Sequence, residues 1–318
     1  MRIVGVDLGG TRIRVALLDE SYTLLKRVEE PTRSWEGPAV TIPRILNLIA
    51  GIIDASDEPV QAIGISSPGP IDPVTGRIVS PPNLQGWVDV PLGRIAQERF
   101  PGIPTYIGND ANVAALAEVY NGAARGHTHA IYITVSTGIG GGIVIDGKLF
   151  TGAHGLAGEL GHTVILVDGE RVSTLEIEAS GPGLARYVAR RIREGAQSLV
   201  TEMVNGDLDA ITGKTVGQAA QAGDPLALEA VTRSGRLIGY SIASLMHLFN
   251  PTIFVVGGGV SNLGELLFEP MRQAARAHVI DPAYYEQAAI VPAALGEDVA
   301  IIGAAALAIQ ELEAAGRN

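Results

Sequence analysis

An α/β fold built from two related halves is what this sequence predicts, on three observations. Strand-like and helix-like stretches alternate along the chain. A strand, a glycine-rich turn and a second strand open it, and the same pattern returns roughly 130 residues later. The 318 residues, 47% hydrophobic and 18% charged, supply enough apolar chain for two domains or one large one with a sizeable buried core.

Each element has a local reason. Arg2–Asp7 is an apolar strand and Ile13–Leu18 a second one after the Gly9-Gly10-Thr11 turn, which makes a hairpin with a glycine-rich tip. Ile42–Ile53 carries apolar residues at helical spacing. Val60–Ser66 reads as a buried strand, Leu92–Phe100 as a short helix, and Pro104–Ile107 as a strand that delivers the chain to Asn109-Asp110. Ala111–Tyr120 is the helix that follows, closed by Asn121-Gly122 and capped at its start by Asn109 or Asp110. In the second half, the strand Ala130–Val135 runs into a glycine-rich turn over Ser136–Gly142 and a strand at Ile143–Ile145. Helices at Gly183–Glu194 and Pro225–Phe249, a strand at Ile253–Val256, the Gly257-Gly258-Gly259 turn and an apolar helix over Ala300–Leu312 complete the chain. No low-complexity linker separates the halves, so the domains are expected to touch, with any site in the cleft they form.

Lys and Arg total 23 against 34 Asp and Glu, a net charge of −11 with no basic cluster. That balance argues against nucleic acid and anionic membranes as partners. Cysteine is absent, which removes disulfides, thiolate zinc sites and a cysteine nucleophile together. The opening M-R-I-V-G-V-D meets an acid after a few apolar residues, unlike a signal-peptide core. The longest apolar run, Val299–Ile309, is shorter than the ~18 residues of a membrane span. A soluble cytoplasmic protein is the expectation.

Three glycine-rich turns follow strands: D-L-G-G-T at 7–11, S-T-G-I-G-G-G at 136–142 and G-G-G at 257–259. Any one of them suits an ordinary tight turn. Together they suit nucleotide phosphates, because glycine admits positive φ and lets backbone N–H groups close on an anion. The dinucleotide and P-loop fingerprints do not fit. G-x-G-x-x-G started at Gly138 ends on Ile143 and started at Gly257 ends on Asn262, and Gly213-Lys214-Thr215 has Leu208 where a P-loop needs its first glycine.

Asn109-Asp110, at a strand end and a helix start, is either a plain N-cap or a carboxylate shown to a cleft. G-A-H-G-L-A-G-E-L-G-H at 152–162 sets Glu159 and His162 three apart in a stretch too glycine-rich for a routine core helix. Glu176, in T-L-E-I-E-A-S-G, reads as a third cleft carboxylate or, like Glu178, as a solvated acid at a helix start. E-x-x-H can be half of a di-iron site, but no other histidine has Glu three residues before it. One His with one or two carboxylates is a poor structural metal set. Hydrogen bonding to a polyhydroxyl ligand suits these side chains better. The loops Ser66-Ser67-Pro68-Gly69-Pro70 and Asn83-Leu84-Gln85-Gly86-Trp87 are structural turns or walls of a pocket for sugar hydroxyls.

In this order, these stretches resemble the ROK family, the sugar kinases and sugar-sensing repressors of the hexokinase–actin–chaperone ATPase superfamily. The resemblance covers essentially the whole chain. It rests on D-L-G-G-T, S-P-G-P, N-L-x-G-W, N-D-A-N at 109–112, S-T-G-I-G-G-G, G-E-L-G-H, E-x-x-A-S-G-P at 176–182, N-P at 250–251 and V-G-G-G-V-S at 256–261. It implies a two-domain, duplicated actin-like ATPase (ribonuclease H-like) fold, with a small α/β domain over 1–108 plus 301–318 and a large one over 109–300. By the same resemblance Asp110 is the general base, and Asn83, Asn109, Asp110, Glu159, His162 and Glu176 bind the sugar. Asp7, Gly9, Gly10, Thr11, Arg12, Thr137 and Gly138 face ATP phosphates and Mg²⁺, with Asp7 the metal ligand, and Gly257, Gly258 and Gly259 lie by the adenosine.

Two departures stand out. Arg12 replaces the Lys usual after D-x-G-G-T, a mild change of cation. The family's C-x-C-G-x-x-G-C zinc segment is missing, since only Thr163 to Leu175 separate His162 from Glu176 and none is Cys. The resemblance thus implies an ATP- and Mg²⁺-dependent hexose kinase without zinc, closest to a glucokinase of glycolysis, acting as a homodimer. Mannose, fructose or an N-acetylhexosamine as acceptor, and polyphosphate as donor, stay open. A sugar-sensing repressor would need a DNA-binding helix-turn-helix ahead of the first strand, and a glycosidase using Asp110, Glu159 and Glu176 would leave the glycine turns unexplained.

Overall fold

Alternating apolar residues in the first strands set the first layer. The computed structural model describes residues 1–81, 83–168 and 171–316. In chain order the strands are β1 (Arg2–Leu8), β2 (Arg12–Asp19), β3 (Leu24–Pro31), β4 (Val60–Ser67), β5 (Ile71–Asp72), β6 (Arg77–Ile78), β7 (Thr105–Asn109), β8 (Ala130–Val135), β9 (Ile139–Ile145), β10 (Lys148–Leu149), β11 (Val164–Asp168), β12 (Arg171–Thr174), β13 (Ile253–Gly257) and β14 (Ala289–Pro292). The helices are α1 (Pro38–Asp54), α2 (Leu92–Arg99), α3 (Asp110–Asn121), α4 (Leu175–Ala179), α5 (Gly181–Arg193), α6 (Leu199–Met203), α7 (Gly213–Gln221), α8 (Pro225–Phe249), α9 (Glu265–Ala277), α10 (Pro282–Glu286) and α11 (Val299–Ala315). The chain divides into two compact units: unit 1 comprises Met1–Thr128, Gly142–Gly158 and Ala294–Asn318, and unit 2 comprises His129–Gly141 and Glu159–Ala293.

Unit 1 is organised on a sheet of order β3-β2-β1-β4-β7, antiparallel across β3, β2 and β1 and parallel across β1, β4 and β7. Both faces are covered, so β1 is apolar at nearly every position rather than at every second one. Val4, Val6 and Leu8 share a core with Ile63, Ile65 and the α1 residues Ile45, Ile49 and Ile52, whose i, i+4, i+7 spacing forms one helical stripe. On the other face lies α11, an alanine-rich helix buried from Ile301 through Ile309. Its small side chains allow close approach. A Cβ on Gly64 of β4 would stand 1.8 Å from the Ala304 carbonyl oxygen. Gly64→Ala is therefore expected to lower stability by about 1–3 kcal/mol through overpacking, read as a reduced urea midpoint at unchanged m-value.

In unit 2, β8, β13 and β14 run parallel with Ile253 of β13 paired to Ala130 and to Ala289. They belong to a sheet of order β10-β9-β8-β13-β14. The 25-residue α8, capped by Asp224 and ended by Asn250 in the left-handed conformation, packs along α9. β11 and β12 form a separate two-stranded hairpin. Residues 169–170 lie outside the described residues, as do 82 and 317–318.

The expected elements are present with ends shifted by a few residues, with one correction. The run expected to be a turn, Ser136–Gly142, is a turn only to Gly138, and Gly140–Gly142 are strand. The reason is packing: a Cβ on Gly142 would lie 2.6 Å from the Ala111 carbonyl, so glycine there lets the strand pass against α3.

Candidate active site

Parallel strands end where the polar residues gather, as ligand-binding α/β sheets do. In unit 1 the register aligns Asp7 with Ser66, Ser66 with Gly108, and Ser67 with Asn109, all at the carboxyl ends of β1, β4 and β7. Asn109 caps α3, its side chain accepting from Ala111 N at 2.9 Å, and Asp110 Oδ1 accepts from the same N–H at 2.8 Å. Asp110 itself is exposed, and the helix dipole at the start of α3 favours negative charge there. The S-P-G-P loop closes on this cap, with Asn109 Nδ2 only 2.3 Å from where a Gly69 Cβ would be.

The first glycine turn is held by Gly9 N donating to Arg12 O at 3.0 Å and by Thr32, which donates from its hydroxyl to Gly9 O and from its N–H to Thr11 O. Asn83 lies beside it, its carbonyl oxygen 2.8 Å from a Gly10 Cβ position. Leu84 and Trp87 of the same loop are buried and pin it, while Asn83 stays exposed. Asp7 is buried next to the turn, and Arg14 donates to its Oδ2 at 2.7 Å. Burial pushes the Asp7 carboxyl above the usual carboxylate range, and Arg14 opposes that rise.

Unit 2 repeats the arrangement. The turn Ser136–Gly138 is closed by Ser136 N donating to Gly138 O at 2.8 Å, and it follows β8 just as Gly258-Gly259 follows the neighbouring β13. Glu176, at the start of α4, accepts from Ile139 N at 2.9 Å through Oε2. Glu159 and His162 are exposed at the two ends of a single 3₁₀ turn over Leu160–His162. That turn sits on β9 so tightly that a Gly161 Cβ would be 2.0 Å from Ile139 O. Both Glu176 and the Glu159–His162 turn are thus referenced to one residue, Ile139.

Beside the two glycine turns of unit 2 is a cavity of about 810 Å³, lined among others by Thr137, Gly181, Arg186, Lys214, Gly259 and Asn262. The first turns of α5 and α7 both line it, so two helix dipoles point positive charge into the space.

The comparisons with known proteins decide the family. The chain matches the ROK family over residues 3–311. It is 35% identical over 312 residues to a glucokinase of Thermotoga maritima, covering 96% of this chain and 97% of the relative. It is similar to the crystal structure of a ROK family glucokinase from Streptomyces griseus in complex with glucose and AMPPNP, at 35% identity, TM-score 0.79 and coverage of 98% and 100% of the two chains. A ROK hexokinase from Thermus thermophilus matches at 33% identity, TM-score 0.82 and coverage of 99% and 100%. This chain belongs to the ROK family. Its fold is the two-domain actin-like ATPase fold of those structures.

In this ROK protein, Asp7, Gly9, Gly10, Thr11, Arg12, Asn83, Asn109 and Asp110 all belong to unit 1. Thr137, Gly138, Glu159, His162, Glu176, Gly257, Gly258 and Gly259 belong to unit 2. Sequence reasoning missed the start of α7. Gly213-Lys214-Thr215, set aside as a failed P-loop, lines the cavity at a helix N-terminus capped by Thr212, which accepts from Thr215 N at 3.1 Å. The T-x-x-T spacing was the signal available for that cap. Glu178, read as a solvated helix-start acid, is buried, because it pairs with Arg233 of α8, 55 residues away.

Proposed function

We propose that this ROK protein transfers the γ-phosphoryl group of ATP to a hexose, with glucose first among the acceptors. The observation that carries the reading is the placement of Asp110, an exposed carboxylate at a parallel strand end, in the same unit as a glycine turn that borders a buried acid. The likeness to glucokinases over nearly the whole chain supports it. Asp110 accepts the proton of the sugar 6-hydroxyl as that oxygen attacks the γ-phosphorus; the new P–O bond forms and the bond to the β-phosphate breaks, leaving ADP. Asn83, Asn109, Glu159, His162 and Glu176 hold the remaining hydroxyls, carboxylates accepting and amides doing both. The turns at Gly9-Gly10-Thr11 and Thr137-Gly138 take phosphate oxygens, and Arg12 adds positive charge at the first of them. The cavity beside Gly257–Gly259 takes the nucleoside. Positioning and charge neutralisation supply most of the acceleration in such a transfer.

Mg²⁺ fits the residues present. Both Arg14 contacts fall on Asp7 Oδ2, which leaves Oδ1 outside that pair as a hard oxygen donor next to the phosphate turn. One carboxylate suffices for an ion that keeps its waters and shares the substrate's phosphates, and once bound it would neutralise phosphate charge. A coupled assay of ADP release tests the reading across glucose, mannose, fructose and N-acetylglucosamine, with ATP and with polyphosphate. Glucose with ATP is expected to give the highest kcat/KM. Sugar-independent ADP release, or no release with any hexose, would overturn it.

A further inference from the structure

The family's zinc segment belongs between His162 and Glu176, and this chain's own donors do not fit it. The sequence has no cysteine, and among the described residues no three His, Cys, Asp or Glu side chains stand close enough to share a metal. What stands there instead is the hairpin β11–β12, and its residues are tied to the residues on both sides. The ladder pairs Val164 with Thr174, and Leu175 N donates to Thr163 O at 3.0 Å, so pairing closes at the residues adjoining His162 and Glu176. Thr163 Oγ1 donates to Leu160 O at 2.7 Å, which joins the strand end to the 3₁₀ turn carrying Glu159 and His162.

The other side of the hairpin is anchored in the interior. Ser173 of β12 donates from Oγ to Glu178 Oε1 at 2.7 Å, and both residues are buried. Glu178 Oε2 is ion-paired to Arg233 of α8, which also donates to the Glu178 carbonyl at 3.1 Å and lies 5.0 Å above the Tyr187 ring. Ser234 Oγ donates to Ala179 O at 2.7 Å and fixes the end of α4 to the same helix. Two positions apart on a helix do not share a face. Glu178 therefore turns to Arg233 while Glu176 reaches Ile139 N.

We propose that the β11–β12 hairpin, clamped through Ser173, Glu178 and Arg233, replaces the zinc ion as the device that positions His162 and Glu176 for the sugar. A buried acid joined to an arginine is a costly way to gain stability alone, because desolvation consumes much of the attraction. It is a directional way to hold α4 at one angle and one depth, which is what a ligand-bearing residue two positions away requires. The three residues are positioning residues and touch no substrate. The proposal rests on the hexose kinase reading, since its main readout is sugar affinity.

The test compares Ser173→Ala and Glu178→Gln with the unaltered full-length protein, all assayed well below each variant's own unfolding midpoint. Hexose KM is expected to rise about 3-fold for Ser173→Ala and 10-fold or more for Glu178→Gln, with ATP KM within 2-fold. Glucose affinity by calorimetry should fall in parallel. A purely structural network would lower the midpoint and leave the sugar KM of the folded variant unchanged; that result, or equal weakening of both substrates, overturns the proposal. If Glu178→Gln does not fold, Ser173→Ala decides the matter by the same criteria. The unaltered protein should keep its hexose KM after treatment with a zinc chelator once Mg²⁺ is restored. Activity lost to the chelator and regained only with zinc also overturns it. Unaltered protein that neither binds hexose nor releases ADP with it would instead remove the kinase reading underneath.

Discussion

Asp110→Asn is expected to lower kcat for hexose phosphorylation by about 10²–10⁴-fold, the usual cost of losing a positioned base, while hexose binding changes little. The amide keeps the size of the carboxylate and can still accept from Ala111 N, as Asp110 Oδ1 does at 2.8 Å. α3 should stay capped, since Asn109 supplies the N-cap independently through the same N–H at 2.9 Å. What the amide cannot do is take the proton of the attacking hydroxyl. Steady-state kinetics with ATP, together with glucose binding by calorimetry, separate the two effects. A kcat within about tenfold of the unaltered protein would reduce Asp110 to a helix-start acid and leave the chemistry to another group.

Glu176→Gln is expected to raise hexose KM by about tenfold or more, because a charge-assisted hydrogen bond exceeds a neutral one by roughly 1–2 kcal/mol and 1.4 kcal/mol is a factor of ten. The substitution is chosen to spare the fold. Its amide oxygen can still accept from Ile139 N, the contact that Glu176 makes at 2.9 Å, so the turn at Gly138 keeps its shape and ATP KM should hardly move. Glu159→Gln, on the exposed entry to the 3₁₀ turn, should act in the same direction. Parallel losses for sugar and ATP would identify these acids as supports of the glycine turn rather than sugar ligands.

Spacing along the chain does not decide every role. Glu176 and Glu178 are two residues apart in one short helix and look alike as text, each an acid near a helix start. Their difference lies in what faces them: the β9 backbone at Ile139 for one, Arg233 of α8 for the other. Lys214 fails the P-loop spacing, yet a helix N-terminus beside two glycine turns delivers it to the cavity of unit 2. No spacing rule records that convergence, since the turns, α5 and α7 come from separate stretches of chain.

The local features were determined by the sequence itself: the β1–β2 hairpin and its glycine tip, the α1 stripe Ile45, Ile49 and Ile52, the Asn109 cap on α3, the strand before each glycine turn, and the motif order that marks the family. These depend on residue spacing and on backbone freedom, which neighbouring residues settle. Tertiary structure alone decided that Gly140–Gly142 are strand, with Gly142 against α3, that Gly64 admits the Ala304 carbonyl, and that Glu178 is buried. It also decided that Ser173 of the β11–β12 hairpin meets Glu178, whose own partner Arg233 lies 55 residues further on. Each of those outcomes turns on burial and on the approach of distant backbone, and burial belongs to the set of neighbours that folding assembles, not to any residue along the chain.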